Sequence, residues 1–180
     1  ALKYFNKGWA TSQELADPGL MKSAVTFSTF FHYWQGRFQE AVKIYEDHVS
    51  EMDKNLQGNF PLIAYLTIGY CYTLIGQVAQ GLGMIATARH ICIKTNNLFL
   101  TAYSDAVMAS SLLNLNRIDE AIEYIHSSYG KIKKWPDNPL LLFFNILFAF
   151  AHYLKGDKKK ATTYLKKFLK LRDRLNISIM

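Results

Sequence analysis

The sequence is poor in the residues that hold small disulfide-bonded or metal-bound folds together. It has two cysteines and four prolines in 180 residues, and Cys71 and Cys92 lack any Cys-x-x-Cys spacing. A disulfide framework and a cysteine metal site are therefore not expected, and two buried, reduced thiols are. Half of the residues are hydrophobic, which excludes a disordered chain, and the scarcity of proline argues against a turn-rich β-sandwich.

Long apolar runs are also missing. The strongest candidate, Leu140 to Leu154, is interrupted by Asn145 and His152 and is shorter than the roughly 20 residues that a membrane-spanning helix needs. The sequence therefore predicts no membrane association, and we expect a cytoplasmic protein.

Acidic residues are scarce in one half of the chain. Residues 1–90 hold seven Lys/Arg and seven Asp/Glu, whereas residues 91–180 hold fourteen and seven, so the second half carries the whole net charge of +7. Such asymmetry can mark a surface for nucleic acid or membrane.

A repeat of 40 residues organises the sequence. Its four copies align without gaps and begin at positions 36, 76, 116 and 156: Gly36-Arg-Phe-Gln-Glu-Ala41, Gly76-Gln-Val-Ala-Gln-Gly81, Asn116-Arg-Ile-Asp-Glu-Ala121 and Gly156-Asp-Lys-Lys-Lys-Ala161. Each copy lies between two apolar stretches of helical periodicity. The short turn between these stretches requires antiparallel neighbouring helices.

Small residues recur at fixed places in the unit. Gly or Asn at the turn permits a left-handed residue that ends the first helix. A small residue five positions later, and another seven before the turn, would let the paired helices approach closely. The predicted packing residues are Gly36, Ala41, Gly69, Gly76, Gly81, Ala109, Ala121, Ala149, Gly156 and Ala161, with Asn116 at the third turn and Thr29 as a departure.

The same pattern sets the helix boundaries. Between units stand turn sequences such as Asp17-Pro18-Gly19, and Asn138 followed by Pro139 is typical of an N-cap and first helical residue. Nine helices are predicted, at 1–15, 21–35, 38–54, 61–75, 78–95, 98–115, 118–134, 139–155 and 158–175.

These motifs resemble the tetratricopeptide repeat (TPR). The segment Leu66-Thr-Ile-Gly69-Tyr-Cys-Tyr72, with Gly76, Gly81 and Ala88, matches one whole unit, and Arg117 to Ile125 matches a second helix. The period of 40 and the absence of Trp early in the first helix depart from the usual 34-residue unit. The resemblance implies an all-α, right-handed superhelical array of antiparallel hairpins, a TPR-like α-solenoid. It would form one domain with a half-repeat at 1–20 and repeats at 21–57, 58–97, 98–137 and 138–177.

The linkers carry a narrower resemblance. Leu15-Ala-Asp-Pro-Gly-Leu20 and Lys94-Thr-Asn-Asn-Leu98 are similar to linkers in the helical-repeat regions of large bacterial signalling ATPases and maltose-activator-like transcription regulators. This resemblance implies a repeat region that senses an inducer or a partner and controls an attached effector. Because neither end carries a polar capping repeat, we expect the chain to be a fragment of a longer protein.

No catalytic constellation is present in the sequence. The five histidines lack the spacing of a metal-binding helix, and Gly81-Leu-Gly83 lacks the strand and Lys-Ser/Thr of a phosphate loop. Glu46-Asp47 is interpreted as a solvated helix face, and the equivalent positions of His32 and His152 favour a packing role over a ligand role. We predict no enzyme activity, no cofactor and no metal.

The candidate binding surface is the face that the first helices would turn toward the concave side of the array. Tyr and Trp there combine apolar area with a polar group and are enriched at binding hot spots. The alternative is that these side chains only pack between hairpins. The predicted groove residues are Phe30, Tyr33, Trp34, Tyr70, Thr73, Tyr103, Ser110, Asn114, Phe150 and Tyr153.

The sequence therefore predicts a protein- or peptide-binding scaffold, with an inducer sensor and a self-association module as alternatives. The C-terminal basic cluster flanks Phe168, Leu169 and Leu171, and we interpret it as the wet face of an amphipathic helix rather than as a nucleic-acid surface. Its members are Lys155, Lys158, Lys159, Lys160, Lys166, Lys167, Lys170, Arg172 and Arg174.

Overall fold

The computed structural model describes residues 2–48 and 59–177, and the regular elements in these ranges are all α-helices. Their bounds are α1 Leu2–Glu14, α2 Pro18–Trp34, α3 Phe38–Asp47, α4 Asn59–Leu74, α5 Val78–Lys94, α6 Leu98–Asn114, α7 Ile118–Ile132, α8 Leu140–Leu154 and α9 Lys158–Arg174. Among the described helices, none combines the length and the apolarity needed to span a bilayer.

The chain divides into two compact units within α5, between Ala88 and Arg89. In the first unit α2 packs against α1 and α3, and α4 contacts both α2 and α3. In the second unit α6 pairs with α7, α8 contacts both of them, and α9 packs against α8. Each unit is thus built from consecutive antiparallel helices, which confirms the predicted all-α hairpin array.

The turns inside the hairpins adopt the conformation that Gly and Asn tolerate best. Their left-handed residues are Gly36 (φ 72°), Gly76 (φ 90°), Asn116 (φ 58°) and Gly156 (φ 76°). After the last of these, the Asp157 N–H donates to the His152 carbonyl at 2.9 Å. This six-to-one bond satisfies a carbonyl that the helix end would otherwise leave unpaired, as in a Schellman motif.

A second left-handed position recurs in the connections between hairpins. Ala16, Asn96 and Asn176 have φ of 48°, 52° and 51°, and their numbers fall on the 40-residue grid. The Asn97 N–H donates to the Cys92 carbonyl at 3.0 Å, so these helix ends close in the same way as those inside the hairpins. Both kinds of turn therefore follow the 40-residue period, except after α7, where Pro136 occupies the equivalent position and cannot take a left-handed φ.

Helix starts differ slightly from the prediction. Asp17 is the N-cap of α2, its carboxylate accepts from the Gly19 N–H at 2.8 Å, and Pro18 is the first helical residue. The predicted turn at 17–19 is therefore part of the helix start, because proline at the first position loses no hydrogen bond. Before α8, the Asn138 side chain accepts from the Leu140 N–H at 3.0 Å. The helix begins at Leu140 and its N-cap is Pro139, one residue later than the predicted N-cap at Asn138.

The third helix differs most. It ends at Asp47, and its C-cap His48 has left the helical conformation, with φ −129° and ψ 17°. The His48 ring nitrogen Nδ1 lies 2.9 Å from the Ile44 carbonyl oxygen, a side-chain partner for a carbonyl at the helix end. The prediction of helix to residue 54 is therefore wrong at residue 48, and residues 49–54 lie outside the described part of the chain.

Close helix packing in the first unit depends on two glycines. A Cβ on Gly81 would collide with the Gly69 carbonyl oxygen and would stand 2.7 Å from Thr73 Cγ2. A Cβ on Gly69 would stand 2.9 Å from Ile85 Cγ1. The backbones of α4 and α5 therefore touch where they cross, and a larger residue at either position would have to separate them.

Candidate binding surfaces

The predicted aromatic residues of the first unit form a partly exposed cluster. Tyr33 of α2 and Tyr70 of α4 meet edge to face, with ring centroids 6.0 Å apart, and Tyr33 also contacts Trp34 at 5.4 Å. Tyr33 and Tyr70 are half-buried, whereas Trp34 is 75% exposed. Phe30 is half-buried and Thr73 is buried, and the Thr73 hydroxyl donates to the Tyr70 carbonyl at 2.7 Å. Trp34 is thus the member with most of its surface open to a partner.

The predicted residues of the second unit differ in exposure. Tyr103 and Ser110 of α6 are half-buried, the Ser110 hydroxyl donates to the Ala106 carbonyl at 2.9 Å, and Asn114 is exposed. Phe150 and Tyr153 of α8 are 41% and 64% exposed and line one groove together. Sequence reasoning placed these two aromatics on one helix face, and the structure shows that the groove beside them also uses the neighbouring helix.

That groove, between α8 and α9, is a cavity of about 520 Å³. We name it the terminal groove. Two small residues of its lining, Ala149 of α8 and Ala161 of α9, are almost fully covered. Its lining residues are Ile146, Ala149, Phe150 and Tyr153 of α8 and Lys158, Ala161, Thr162 and Leu165 of α9.

Positions 40 residues earlier show what this surface looks like when it is covered. Leu113 and Ile125, the equivalents of Tyr153 and Leu165, are 3% and 0% exposed. They lie on α6 and α7, the hairpin against which α8 packs. Tyr153 and Leu165 are 64% and 42% exposed. The repeat therefore places apolar side chains on a surface that a following helix buries one step earlier in the same unit.

A comparable groove lies between α1 and α2 in the first unit. It encloses about 640 Å³, and Phe27 is its large exposed residue on α2, at 59%. Its lining residues are Tyr4, Lys7, Gly8 and Thr11 of α1 and Leu20, Ala24, Phe27 and Phe31 of α2. The sequence analysis proposed self-association as an alternative function without identifying these residues. The positions of these lining residues in the 40-residue repeat were the sequence signal that could have located them.

The basic cluster lies on α9 and its edges, and part of its charge is paired. The ion pairs are Lys155–Asp119, Lys160–Asp157, Arg172–Asp173 and Arg174–Asp137. The Lys167 ammonium lies 4.6 Å from the centroid of the Tyr164 ring. Lys158 differs from these residues because it lines the terminal groove. The lining of the groove is therefore mostly apolar, with the charged Lys158 among its residues.

A buried carboxylate, which the sequence analysis did not single out, connects three helices of the second unit. Asp105 on α6 is fully buried and accepts hydrogen bonds from Arg89 Nε on α5 and from the Ser128 hydroxyl on α7. The Arg89 guanidinium also lies 5.3 Å from the centroid of the Tyr124 ring. Both carboxylate oxygens have partners, so the network is suited to fixing helix positions rather than to proton transfer.

The two cysteines of the described residues are buried. Burial raises the pKa of Cys71 to about 12 and also raises the pKa of Cys92, so these thiols are poor nucleophiles at neutral pH. No group of three or more His, Cys, Asp or Glu side chains within residues 2–48 and 59–177 could hold a metal ion. His152 is stacked on Tyr164, with centroids 5.6 Å apart, which is the packing role that its repeat position indicated.

Comparisons with known proteins support the fold. No protein-family model and no curated protein matches the sequence. A crystal structure of a kinesin light chain-like protein of Podosopora anserina with nearly identical TPR-like repeats aligns with 98% of this chain and 87% of its own, at 17% identity and a TM-score of 0.71. Another structure of that protein covers 88% of this chain and 78% of its own, at 18% identity and a TM-score of 0.63. The chain therefore has a TPR-like fold. Identity this low shows the fold alone.

Proposed function

We propose that the chain is a non-catalytic scaffold that binds a peptide or helix of a partner protein on the exposed aromatic side of its first helices. The observation that carries the proposal is the exposure of Trp34, Phe150 and Tyr153 at first-helix positions of a TPR-like fold. Aromatic side chains in such a place offer large apolar area with little conformational entropy to lose on binding. Peptide capture by helical surfaces uses anchors of this kind.

A peptide library displayed on phage and selected against the immobilised chain tests this proposal. Ligands selected on the wild-type chain should lose at least tenfold in affinity to Tyr153→Ser or Trp34→Ser, as expected for hot-spot residues. The exposed Ala10→Ser variant is a control that should bind as the wild type does. A library that yields no ligand, or ligands indifferent to both aromatic substitutions, contradicts the proposal.

We also propose, on the resemblance of the linkers alone, that the chain is the regulatory region of a cytoplasmic bacterial signalling or transcription regulator. An adjoining nucleotide-binding, kinase or DNA-binding domain in the parent gene would support this context, and a gene without any effector domain would contradict it.

Inducer sensing is less well supported than partner binding, because Lys158 and Thr162 are the polar lining residues of the terminal groove. A small polar ligand requires more convergent polar groups than that.

Self-association is a second candidate that one observation favours. The groove between α1 and α2 presents Phe27, Leu20 and Phe31, and exposed apolar surface of this kind is often an interface between copies. Light scattering during size-exclusion chromatography should then show a dimer that Phe27→Glu dissociates. A monomer at high concentration removes this candidate.

A further inference from the structure

We infer that one edge of the second unit binds the surface of an anionic phospholipid bilayer. The edge contains the connection from α5 to α6 and the connection from α7 to α8, together with the helix ends beside them. It consists of residues 93–99 and 131–135, and we name it the connection edge. It shares no residue with the proposed peptide site, so the two assignments stand or fall separately.

Helix packing brings the two connections together. Consecutive helices of this unit are antiparallel, so the ends of α5 and α7 and the starts of α6 and α8 lie at the same edge. Arg89 of α5 bonds to Asp105 of α6, which holds these two helices side by side. Helices α6 and α8 also contact each other, and packed helices lie about 8–10 Å apart. The two connections are therefore neighbours on one surface.

Three large apolar side chains are open to solvent on the connection edge. Ile93 is 48% exposed, Phe99 is 51% exposed and Trp135 is 45% exposed. Each connection lies between two described helices, and the helix that follows it leaves these side chains open. The repeat does not require them, since the positions equivalent to Phe99 hold Gly19 and Pro139. Exposed apolar groups that gather on one surface indicate a binding function.

Positive charge surrounds these apolar side chains. Four exposed lysines lie on the edge, and none of them takes part in an ion pair within residues 2–48 and 59–177. The nearby carboxylates of Asp137 and Asp173 are both paired with arginines of α9. The edge therefore presents positive charge that no local carboxylate balances. Its lysines are Lys94, Lys131, Lys133 and Lys134.

Helix stability explains only part of this arrangement. Lys94 and Lys131 lie in the last turns of α5 and α7, where a cation interacts favourably with the helix dipole. Lys134 follows the end of α7, and its ammonium lies 4.7 Å from the centroid of the Trp135 ring. The dipole gives no reason for an exposed indole beside these charges. Tryptophan and lysine together are the residues that a bilayer interface favours.

The residue types favour a lipid surface over other polyanions. The unpaired cations are lysines, and anionic lipid attracts their ammonium groups by charge alone. Arginine binds phosphate through two parallel hydrogen bonds, and the two arginines beside this edge are paired with aspartates. Single-stranded nucleic acid needs aromatic faces for stacking, and Ile93 offers none. A bilayer accepts the apolar side chains and the lysines at the same time.

Peripheral binding requires no membrane-spanning helix. The inference therefore differs from the expectation of no membrane association, which rested on the lack of a long apolar run. A single apolar anchor binds a bilayer only weakly, and a basic patch beside it supplies the second attraction that stable binding needs. The connection edge has both.

Sedimentation of the full chain with vesicles tests the inference. One set of vesicles is phosphatidylcholine alone, and the other contains about one third phosphatidylserine as the anionic lipid. We expect at least about tenfold tighter binding to the anionic vesicles, because each lysine near the surface contributes about fivefold. The difference should shrink as salt screens the charges.

Two matched double variants locate the charge. Lys133→Gln with Lys134→Gln removes two cations from the connection edge and should weaken binding to anionic vesicles by at least about tenfold. Lys158→Gln with Lys159→Gln makes the same change at the start of α9, about 25 Å away at the opposite edge of the unit. That distance exceeds the screening length, so the control should bind within about twofold of the wild type. Melting temperatures show that both variants are folded.

Fluorescence quenching locates the apolar contact. Phosphatidylcholine with brominated acyl chains quenches a tryptophan that enters the bilayer, and it is added here to the anionic vesicles. The wild-type chain should be quenched, and Trp135→Phe should lose that quenching. Trp34→Phe is the matched control because Trp34 is 75% exposed but lies outside the connection edge. It should be quenched as the wild type is.

Each outcome decides the inference. Equal binding to neutral and anionic vesicles, equal losses in the two double variants, or quenching that persists in Trp135→Phe overturns it. Tighter binding of polythymidine or polyglutamate than of vesicles, lost in Lys133→Gln with Lys134→Gln, also overturns it, since the edge would then serve a nucleic acid or an acidic protein. Vesicle binding without any library peptide ligand supports the connection edge and contradicts the scaffold proposal. Peptide binding through Tyr153 without vesicle binding does the reverse.

Discussion

At the residue scale, Gly81 and Gly83 provide a direct measure of how closely the helices pack. An added Cβ at Gly81 meets the Gly69 carbonyl and Thr73, whereas one at Gly83 meets nothing within 4 Å. Gly81→Ala should therefore lower the free energy of unfolding by about 1–3 kcal/mol. Gly83→Ala should raise it by about 0.5–1 kcal/mol, because alanine is the better helix former. Urea unfolding of both variants tests the pair, and a neutral Gly81→Ala would show that the backbones do not touch.

Ala16 carries strain that glycine would remove. Its φ of 48° is left-handed, a conformation that costs an alanine roughly 1 kcal/mol. Ala16→Gly should raise the melting temperature slightly. Glycine removes the strain of the left-handed turn, and this gain exceeds the cost of ordering an unfolded chain that glycine makes more flexible. The control Ala10→Gly, exposed in the middle of α1, should lower it. A fall in both variants would argue against the left-handed turn.

Sequence reasoning succeeds at single residues when the residue type is tied to a backbone conformation. Gly36, Gly76 and Asn116 could be placed at left-handed turns because few other residues tolerate such a turn. Ala16 could not be placed there, since alanine gives no such signal. Asp105 was equally invisible, because its partners Arg89 and Ser128 stand 16 and 23 positions away and only the folded chain brings them together.

At the scale of elements, the Asp105 network should hold α5, α6 and α7 in place. Asp105→Ala leaves the Ser128 hydroxyl and the Arg89 guanidinium without their partner, and should cost about 3 kcal/mol in the free energy of unfolding. Arg89 remains 28% exposed, so water can solvate part of its charge. The loss of stability is therefore expected at the lower end of the range for a buried ion pair that has lost one partner.

The exposed ion pair Lys155–Asp119 is the matched control for that variant. Asp119 is 84% exposed, so Asp119→Ala should change stability by less than about 0.5 kcal/mol. Chemical denaturation compares the two variants under one set of conditions. Similar effects for both would mean that the buried network contributes no more than a surface pair.

His152 should make the packing of α8 and α9 sensitive to acid. Burial, with Lys160 and Lys155 nearby, lowers the pKa of His152 below the usual 6.5 of a histidine. A lowered folded pKa means that the unfolded chain binds the proton more readily. Stability is therefore constant above about pH 6.5 and falls as the pH drops from there through the folded pKa.

The variant His152→Phe keeps a ring against Tyr164 and removes the titration, so this part of the acid-induced fall should disappear from melting temperatures measured between pH 5 and 8. His90→Gln, an exposed control, should retain the fall. An unchanged pH profile in His152→Phe would exclude this histidine as its source.

Helices as elements were largely predictable, because an apolar period of 3.6 residues over 15 positions leaves few alternatives. Their ends were less so. The predicted turn at 17–19 includes Pro18, although proline is favoured at the first helical position. Helix α3 ends at Asp47, several residues before its predicted end. Boundaries depend on capping contacts such as that of Asp17 with Gly19, which are local in space but carry only a weak signal in the sequence.

At the scale of the whole molecule, the repeat determines what is covered and what is left open. Within the second unit, Leu113 and Ile125 are buried, whereas their equivalents Tyr153 and Leu165 are exposed. The sequence alone indicated exposed aromatics on the first helices. It could not identify the terminal groove, because a groove between two helices depends on the side chains of both and on the absence of a covering helix among the described residues.

The measurement that tests the scaffold account most directly compares binding with folding in two tyrosine variants. The affinity of a peptide selected from the phage library and the melting temperature are determined for Tyr153→Ala and for Tyr70→Ala. Tyr153 is mostly exposed, so its loss should reduce affinity at least about tenfold and leave the melting temperature nearly unchanged. Tyr70 packs against Tyr33, so Tyr70→Ala should lower the melting temperature. At a temperature where the variant is still folded, its affinity for the peptide should be unchanged. If Tyr153→Ala instead unfolds the chain, or binds the peptide as well as the wild type does, the exposed aromatic surface is not the binding site.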